Sequence, residues 1–535
     1  MKKTVLITTS GIGERLGNLT KYTNKSLINV GDKYALCYII ENYDVDTDFI
    51  VTIGYYGNLV KDFLLLTYST RNFIFVDVDN YVGIGSSLGY SLLQAKRYLQ
   101  KPFIFHCCDS IVNNIISFEE NKNVLCVSKS NCSKYYTNVK VDNELSHSNN
   151  ISRVSSLQIL EINSKNHTDF DYIYTGISFI YDFNPFWINL ENIYNSNKLN
   201  SQLSDVDVIR KMMTDDKCVF YCNVLNDWYD TGNTSSYQKL QDVFKPTYSV
   251  INKNNESLCF FDDIVIKFVN DKIINEKRIK RGKLLYPLTP HIINSSDNFM
   301  VMEKIEGIIL SEYYQYGEIY KLLTWAKNNL WINENKNDEY KNNCLHFYFN
   351  KTINRINDIS FLNKTKEINI INGINTGTIN ELMTQISSLD ILLTDTFYHF
   401  HGDFILDNII KTNNSYILID WRHEFDNQIM YGDIYYDLAK LRHNIIFNHK
   451  NILQNLFDVV YNNDNITVDL KCNYFLIQQL TDYDKFISEH NFNLKKIKII
   501  TSIIWINMSP LYDGKLSEFL FYFGKYNLFL SLHDK

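Results

Sequence analysis

The sequence predicts two halves of different fold class: an α/β half built on a doubly wound parallel sheet, then a two-lobed α+β half. Three observations carry this. The chain has 535 residues, more than one compact core usually holds. Its first 245 residues alternate short apolar runs with helix-spaced ones. The polar stretch "FKPTYSVINKNNES" (244–257), broken by Pro246, then separates that alternation from a region where strands come first and helices follow. The halves are set at 1–245 and 250–535.

In the first half, "KTVLITTS" (3–10), "DFIVTIGYY" (48–56), "NFIFVDV" (72–78) and "PFIFHCCDS" (102–110) read as buried strands. "YALCYIIENY" (34–43), "LVKDFLLLTY" (59–68) and "SSLGYSLLQAKRYL" (86–99) read as the helices between them. Apolar strands alternating with helices imply a parallel sheet covered on both faces. Ligands of such sheets sit at the carboxyl ends of the strands, where Gly11, Gly13 and Asp109 fall. In the second half, "SLCFFDDIVIKFV" begins with short strands, a helical run leads to "KLLY", and "NFMVMEKIEG" is a further strand. Beyond it the pattern is mostly helical.

Composition excludes several classes. A net charge of −7 supplies no basic field for nucleic acid. Ten cysteines are scattered with neither a CxxC pair nor a zinc-spaced Cys/His set, as expected of buried thiols in a reducing cytosol. The N-terminal apolar run is interrupted too early for a signal peptide, and no stretch reaches the roughly 20 apolar residues of a membrane span. A soluble, cytoplasmic protein is expected. Its oligomeric state, homo-oligomer included, stays open.

Two stretches carry chemistry. In "SGIGERLGNLTKYTNKSLINVGDK" (10–33), Gly11 and Gly13 occupy a strand-to-helix turn, with Arg15 and, ten residues on, Lys25. Glycines let backbone amides close on phosphate oxygens, and the two cations can neutralise charge on phosphates that arrive or depart. With GxGxRL and K-x-L-x-x-V at this spacing, the stretch resembles the signature of nucleotidylyltransferases, the pyrophosphorylases that join a nucleoside triphosphate to a sugar 1-phosphate or to phosphocholine. "GYYGNLVKDF" (54–63), "GIGSSLGYSLLQA" (83–95), "FHCCDS", "YTGISFI" (174–180) and "DWYDTGNTSSYQKL" (227–240) extend the resemblance. It implies a Rossmann-like nucleotidyltransferase sheet, with Gly85 and Ser86 beside the nucleobase and Gly176 on the acceptor side. It further implies Asp109 and Asp230 as Mg2+ carboxylates, a pairing that also suits metal chemistry in general. The prolines usual at two loop positions are Asn18 and Asn24 here. The Glu-Lys-Pro segment of the sugar nucleotide enzymes is missing between 140 and 175, which points toward the phosphocholine branch.

The second stretch is His401-x-Asp403-x4-Asn408, followed by a predicted hairpin that returns Asp420 beside the loop. This is the catalytic-loop spacing of kinases, with Asp403 as base and Asn408 and Asp420 on Mg2+. With "DIVIKF", "FMVMEKIEG" and "GDIYYDLAKL" (432–441), residues 250–535 resemble the aminoglycoside phosphotransferase and choline kinase family, a two-lobed protein-kinase-like fold. The resemblance implies an ATP-orienting ion pair between Lys267 and Glu276, and adenine bonding to backbone from Glu303 to Ile305. No Gly-rich phosphate loop precedes Lys267. His401 is expected to brace the loop through hydrogen bonds. Asp433 and Asp437 read as structural or helix-capping. Trp421, with Tyr431, Tyr435 and Tyr436, is expected to offer aromatic faces to a cationic head group.

Together these resemblances imply a bifunctional enzyme using Mg2+ at two sites, ATP, and CTP or another nucleoside triphosphate. The kinase half would phosphorylate a small alcohol, choline-like as first choice, and the other half would convert the phosphomonoester to a nucleotide-linked product. The alternative is a sugar kinase joined to a sugar-1-phosphate nucleotidylyltransferase, kept open by the "DTGN" form at 230–233. A third reading makes one half a catalytically dead binding domain, against which the intact motif residues speak.

Overall fold

The computed structural model describes residues 2–119, 121–130, 134–142, 157–163, 165, 169–247, 255–313, 315–332, 334–363, 365–388, 390–413, 415–471 and 474–533. Residues 248–254 of the polar stretch, and much of the span where the Glu-Lys-Pro segment is missing, lie outside them. Contacts divide the chain into two compact units, Met1–Lys272 with Asn294–Val301 and Ile273–Ile293 with Met302–Lys535. Among the described residues no helix is long and apolar enough to cross a membrane.

The first unit is built on a nine-stranded mixed sheet. Its strands are β1 (Thr4–Thr8), β2 (Asp48–Ile53), β3 (Asn72–Asp77), β4 (Phe103–Cys107), β6 (Asn123–Ser128), β7 (Asn138–Val141), β8 (Leu157–Asn163), β9 (Tyr172–Ile180) and β10 (Phe220–Val224), with β5 (Ser110–Val112) standing outside it. They lie in the order β3-β2-β1-β4-β9-β6-β10-β8-β7. The four strands predicted as parallel neighbours are so: β1 pairs in parallel with β2 and β4, and β2 with β3. The sheet does not end there, however. Beyond β4 it continues through β9, antiparallel to both β4 and β6, so the expected all-parallel sheet is in fact mixed.

Helices α1 (Ala35–Glu41), α2 (Gly57–Thr67) and α3 (Leu88–Ala95) connect the parallel strands. Alternate strand residues serve opposite faces. Val5 and Ile7 join Leu36, Ile40, Val60 and Phe63 in one buried cluster. Leu6 and Ile50 join Leu92, Ala95, Trp187 and Leu190 in another. The strands β11 (Trp228–Asp230), β12 (Glu256–Phe260) and β13 (Ile264–Val269) complete this unit. Cys259, Ile266 and Phe268 share the buried cluster of α1 and α2. The Tyr34 hydroxyl lies 2.7 Å from Ser257 Oγ, and Asn29 donates to the Leu258 carbonyl at 2.6 Å. The division by compactness therefore falls after the first strands that follow the polar stretch.

In the second unit, helix α4 (Lys272–Leu285) is followed by a helix-rich body that includes α5 (Lys351–Asn357) and α6 (Ile434–Ile446). The predicted hairpin is β14 (Ile409–Lys411) with β15 (Tyr416–Leu418), in register Ile409↔Leu418. The expectation of a mostly helical remainder misses a four-stranded sheet that includes the hairpin Phe457–Asn462/Asn465–Leu470. Those strands are polar on one face.

One glycine of β9 shows how tightly the strand ends meet. Gly176 lies where the β9–β6 register shifts, with φ of 79°, and a Cβ there would stand 2.3 Å from Cys107 Sγ. Gly176→Ala is expected to cost about 3 kcal/mol, from overpacking and left-handed strain together. Adding Cys107→Ala should recover the overpacking part only. Denaturant midpoints of the unsubstituted chain and the two variants check this.

Candidate functional site

The first constellation assembles at the carboxyl ends of β1, β2 and β4. Chain reversal after β1 places Gly13 at φ 69°, where a Cβ would lie 3.0 Å from Lys25 Cβ. Only a residue without a side chain lets the Arg15 turn and the Lys25 loop approach this closely. The Lys25 loop is anchored by Asn24, fully buried. Its Nδ2 donates to the Thr9 and Tyr55 carbonyls at 2.8 and 2.6 Å, and its Oδ1 accepts from Ser26 N at 2.9 Å. Tyr55 N in turn donates to the Ser10 carbonyl at 2.9 Å. One amide thus ties the loop to two strand ends. The sequence marked Asn24 only as the replacement of a proline.

Asp109 and Asp230 are brought together by backbone pairing. Asp109 directly precedes β5, and β5 pairs antiparallel with β11 in register Ser110↔Asp230. Thr231 N donates to the Asp109 carbonyl at 2.9 Å. Lys25 Nζ lies 3.1 Å from Asp109 Oδ2. A Cβ built on Gly232 would stand 2.9 Å from Asp230 Oδ1, 3.2 Å from Asp109 Oδ2 and 3.4 Å from Arg15 Nη2. Both carboxylates and the Arg15 guanidinium therefore converge on one point that only glycine leaves open.

The charges follow the geometry. Burial pushes the Asp109 carboxyl up, but the Lys25 ammonium, hydrogen bonds and Arg15 outweigh it and hold it at about 2. Burial works against the Lys25 charge, and Asp109 more than restores it, so its pKa is raised. Asp230 is pushed up by burial and by the like charge of Asp109, against hydrogen bonds from Gly232 N and Tyr136. Two half-buried carboxylates whose charges oppose one another form a donor pair that fits a divalent cation. Among the described residues no group of three or more His, Cys, Asp or Glu is arranged to hold a metal, so remaining ligands would be phosphate oxygens and water.

Gly85, at φ 82°, closes against the Lys198 carbonyl, 3.0 Å from where a Cβ would be, and donates to Ser201 Oγ at 3.1 Å. Ser86 bonds back to the Gly83 carbonyl at 2.8 Å, and Ser87 caps α3 through Tyr90 N. Gly11 has open space where a side chain would be.

The second constellation lies within the second unit. Asp437 on α6 is fully buried and accepts from His401 N and Gly402 N at 2.7 Å each and from Trp331 Nε1 at 3.0 Å. It fixes the loop from behind. Asp433 caps α6, accepting from Tyr435 N at 3.0 Å. The His401 ring spans the loop. Its Nδ1 accepts from Asp403 N at 3.2 Å, which puts the proton on Nε2, 3.0 Å from the Ile419 carbonyl. Burial lowers its pKa and keeps it neutral. Asn408 Nδ2 donates to the Asp403 carbonyl and to Asp403 Oδ2 at 3.0 and 3.2 Å, and Ile419 N donates to the Asn408 carbonyl at 2.9 Å. The hairpin thereby delivers Asp420 beside Asp403, whose carboxyl feels its charge. Asp420 has φ of 52°, a strained value for a residue with a side chain. Asn408 turns its amide nitrogen to Asp403, leaving the oxygen for a cation, so Asn408 and Asp420 fit a metal in donor chemistry.

The sequence did not single out Lys440. It lies three residues after Asp437 on α6, and its Nζ is 2.7 Å from Asp403 Oδ1. Burial pushes Asp403 up, Lys440 pulls it down by more, and its pKa ends below the usual carboxylate range despite Asp420. Sequence periodicity held the signal, because positions three apart share a helix face.

Other predicted residues fall elsewhere. Lys267 on β13 pairs with Glu256 on β12 at 3.4 Å; Glu276, expected as its partner, is exposed on α4. Glu303 accepts from His291 N at 2.7 Å, and Ile305 is half-buried just past the strand. Trp421 corrects an expectation. Its side chain is buried, its Nε1 donates to the Arg278 carbonyl at 2.8 Å, and its ring fills the space above Gly282, where a Cβ would lie 2.4 Å away. Trp421 is therefore core, because Gly282 opens a slot in α4 that its large apolar ring fills. Tyr436 is likewise buried in a ring cluster with Phe347, Tyr348 and Phe425.

No protein-family model matches the chain, and no curated protein matches it. Solved structures similar to its N-terminal half include CTP:phosphocholine cytidylyltransferase from Streptococcus pneumoniae, at 19% identity and TM-score 0.37, covering 46% of this chain and 100% of that one. The inositol-1-phosphate CTP transferase from T. maritima is similar at 17% identity and TM-score 0.36, covering 46% of this chain and 98% of that one. Apo-UDP-glucose pyrophosphorylase is similar at 14% identity and TM-score 0.37, with the same coverage of 46% and 98%. Likeness at these TM-scores is too slight to assign chemistry, which rests on the residues themselves.

Lys440→Met is expected to destabilise the chain by about 2 kcal/mol, because a half-buried carboxylate loses its cation. The double variant Lys440→Met/Asp403→Asn should be more stable than Lys440→Met alone, since it removes the orphaned charge. Denaturant unfolding of the unsubstituted chain and the two variants checks the order.

Proposed function

We propose that this chain is a bifunctional enzyme, with nucleotidylyltransferase activity in residues 1–245 and small-molecule kinase activity in residues 250–535. The observation that carries the first activity is the convergence of Arg15, Lys25, Asp109 and Asp230. In that reaction a phosphomonoester oxygen attacks the α-phosphorus of CTP or another nucleoside triphosphate. The bond to the β-phosphate breaks and pyrophosphate leaves. Lys25 holds the incoming phosphate or the α-phosphate, and Arg15 neutralises charge on the departing pyrophosphate. Mg2+ held by Asp109 and Asp230 would supply further neutralisation of phosphate oxygens.

The kinase reading is supported by the Asp403 loop. An acceptor hydroxyl attacks the γ-phosphorus of ATP, ADP leaves, and Asp403 takes the hydroxyl proton. The low pKa of Asp403 keeps it in its basic form, and His401, Asn408 and Asp437 fix its position. A second Mg2+ would be held by Asn408 and Asp420. The acceptor is a small alcohol, and its phosphate ester is the substrate class of the other half. Burial of Trp421 and Tyr436 removes two of the four aromatic faces that argued for choline as that alcohol, leaving Tyr431 and Tyr435 half-buried. The sugar alternative keeps the "DTGN" form at 230–233 as its support.

Incubation with ATP, CTP or UTP and a panel of alcohols and sugars, followed by mass analysis, tests both activities. Asp403→Asn should abolish phosphorylation and leave nucleotidyl transfer to a supplied phosphomonoester intact. Asp109→Ala or Lys25→Ala should slow pyrophosphate release about a thousandfold, roughly 4 kcal/mol of transition-state stabilisation, and leave phosphorylation running. Loss of both activities in any one variant contradicts two independent sites.

A further inference from the structure

The surroundings of Asp403 hold more positive charge than its carboxylate needs. Lys440 pairs with Asp403. Three further basic side chains, Arg422, Lys351 and Arg355, stand in the same region with no ion pair among the described residues. Arg422 lies two residues past Asp420 and packs on the loop: a Cβ at Gly402 would stand 2.6 Å from Arg422 Cβ and 3.2 Å from its Cδ. Its Nε donates to the Glu424 carbonyl at 2.9 Å. Lys351 and Arg355 are four residues apart on α5, hence on one face, and Arg355 Nη1 donates to the Asn507 carbonyl at 2.7 Å.

Phe347 links the group. Lys351 Nζ lies 4.3 Å and Arg422 Cζ 4.9 Å from its ring centroid. The ring itself stacks on Phe425 at 4.1 Å. The aromatic floor that could have received a ligand's ammonium is thus already occupied by the chain's own cations. The carboxylates nearby offset them only in part: Asp358 acts on Arg355, and Asp420 stands two residues before Arg422. Glu424 is committed to Lys277 at 2.6 Å. Asp426 accepts from Asn343 Nδ2 at 2.9 Å, lies 3.5 Å from His346, and only partly offsets the repulsion on Lys351. Burial first, then Arg422, Arg355 and Lys440, push the Lys351 ammonium down to about 6. Lys351 is therefore largely neutral near pH 7, and an anion placed among these groups would return its proton.

We infer that Arg422, Lys351 and Arg355 form an anion-binding subsite beside Asp403, and that the alcohol phosphorylated there carries a phosphate, phosphonate or carboxylate group. This rests on the kinase reading above and specifies its acceptor. The subsite excludes a choline-like acceptor by like-charge repulsion and by cover of the Phe347 ring. It selects a hydroxyl compound whose anionic end docks on the guanidinium fork of Arg422, leaving the hydroxyl to Asp403.

Binding of inorganic phosphate to the full chain, saturated with Mg2+ and a non-hydrolysable ATP analogue, tests the inference by calorimetry. The analogue keeps the phosphate probe from reporting the nucleotide's own phosphate contacts. Measured in the Lys25→Ala background, which removes the other half's phosphate holder, Arg422→Gln and Lys351→Glu should each weaken phosphate binding about tenfold or more. Thermal melting confirms that each variant is folded, and the two variants alter different elements. Phosphate binding that ignores Arg422 and Lys351 in that background, or that is absent from it altogether, overturns the inference. Slow ATP hydrolysis, lost in Asp403→Asn, reports the kinase reading separately. Absence of that hydrolysis sinks the kinase reading and the subsite with it. Hydrolysis without Arg422- and Lys351-dependent phosphate binding sinks the subsite alone.

Discussion

The parallel register of β2, β1 and β4 is the constraint on which the first unit depends. It aligns Thr8 with Thr52 on one side and with Cys107 on the other, so the three strands end at one level. Everything chemical in that unit is hung from those ends. Asn24 bonds to the carbonyls of Thr9 and Tyr55, just past two of them, and Asp109 stands two residues past the third. A slip of one residue in the β1–β4 pairing would send Asp109 to the opposite face, away from Lys25. Burial of both faces of these strands forbids the slip, because Val5 and Ile7 would trade clusters with Leu6.

The second unit solves the same problem with a carboxylate in place of a register. Asp437 accepts two successive backbone amides of the loop, and burial pushes its pKa up even as those bonds pull it down. A buried carboxylate is tolerated only with its hydrogen bonds made, so the loop has one favourable position against α6. Gly402 adds a steric reason, since its φ of 84° and its approach to Arg422 leave no room for a side chain.

Much of this was legible in the sequence, and the failures share a cause. Strand–helix alternation located β1 to β4 and α1 to α3, because period and burial are local properties. Motif spacing located Lys25, Asp109, Asp230, Asp403 and Asn408, which the structure gathers into two groups. Partner identity was harder. Lys267 pairs with Glu256 through a hairpin register, and Trp421 owes its burial to Gly282, more than a hundred residues away. Asn24 and Lys440 carry no motif of their own, and their roles depend on which carbonyl or carboxylate the fold brings within reach. The antiparallel insertion of β9 beside β4 was invisible for the same reason, since apolar runs do not state direction.

The two constellations, on unrelated folds, rely on one electrostatic device. Each sets a buried or half-buried aspartate beside a lysine from a different element, Lys25 against Asp109 and Lys440 against Asp403. Each places a second carboxylate close enough to oppose the first, Asp230 in one case and Asp420 in the other. The lysine keeps the first carboxylate ionised in spite of burial, while the second carboxylate supplies a negative charge that a divalent cation would relieve. Such a site is poised for a ligand that brings both signs, a metal and a phosphate together. The two differ in what surrounds this core. Around Asp109 the further cation that acts on the carboxyl, among the described residues, is Arg15. Around Asp403 the basic side chains Arg422, Lys351 and Arg355 remain after Lys440 is spent, and they are what the proposed anionic acceptor rests on.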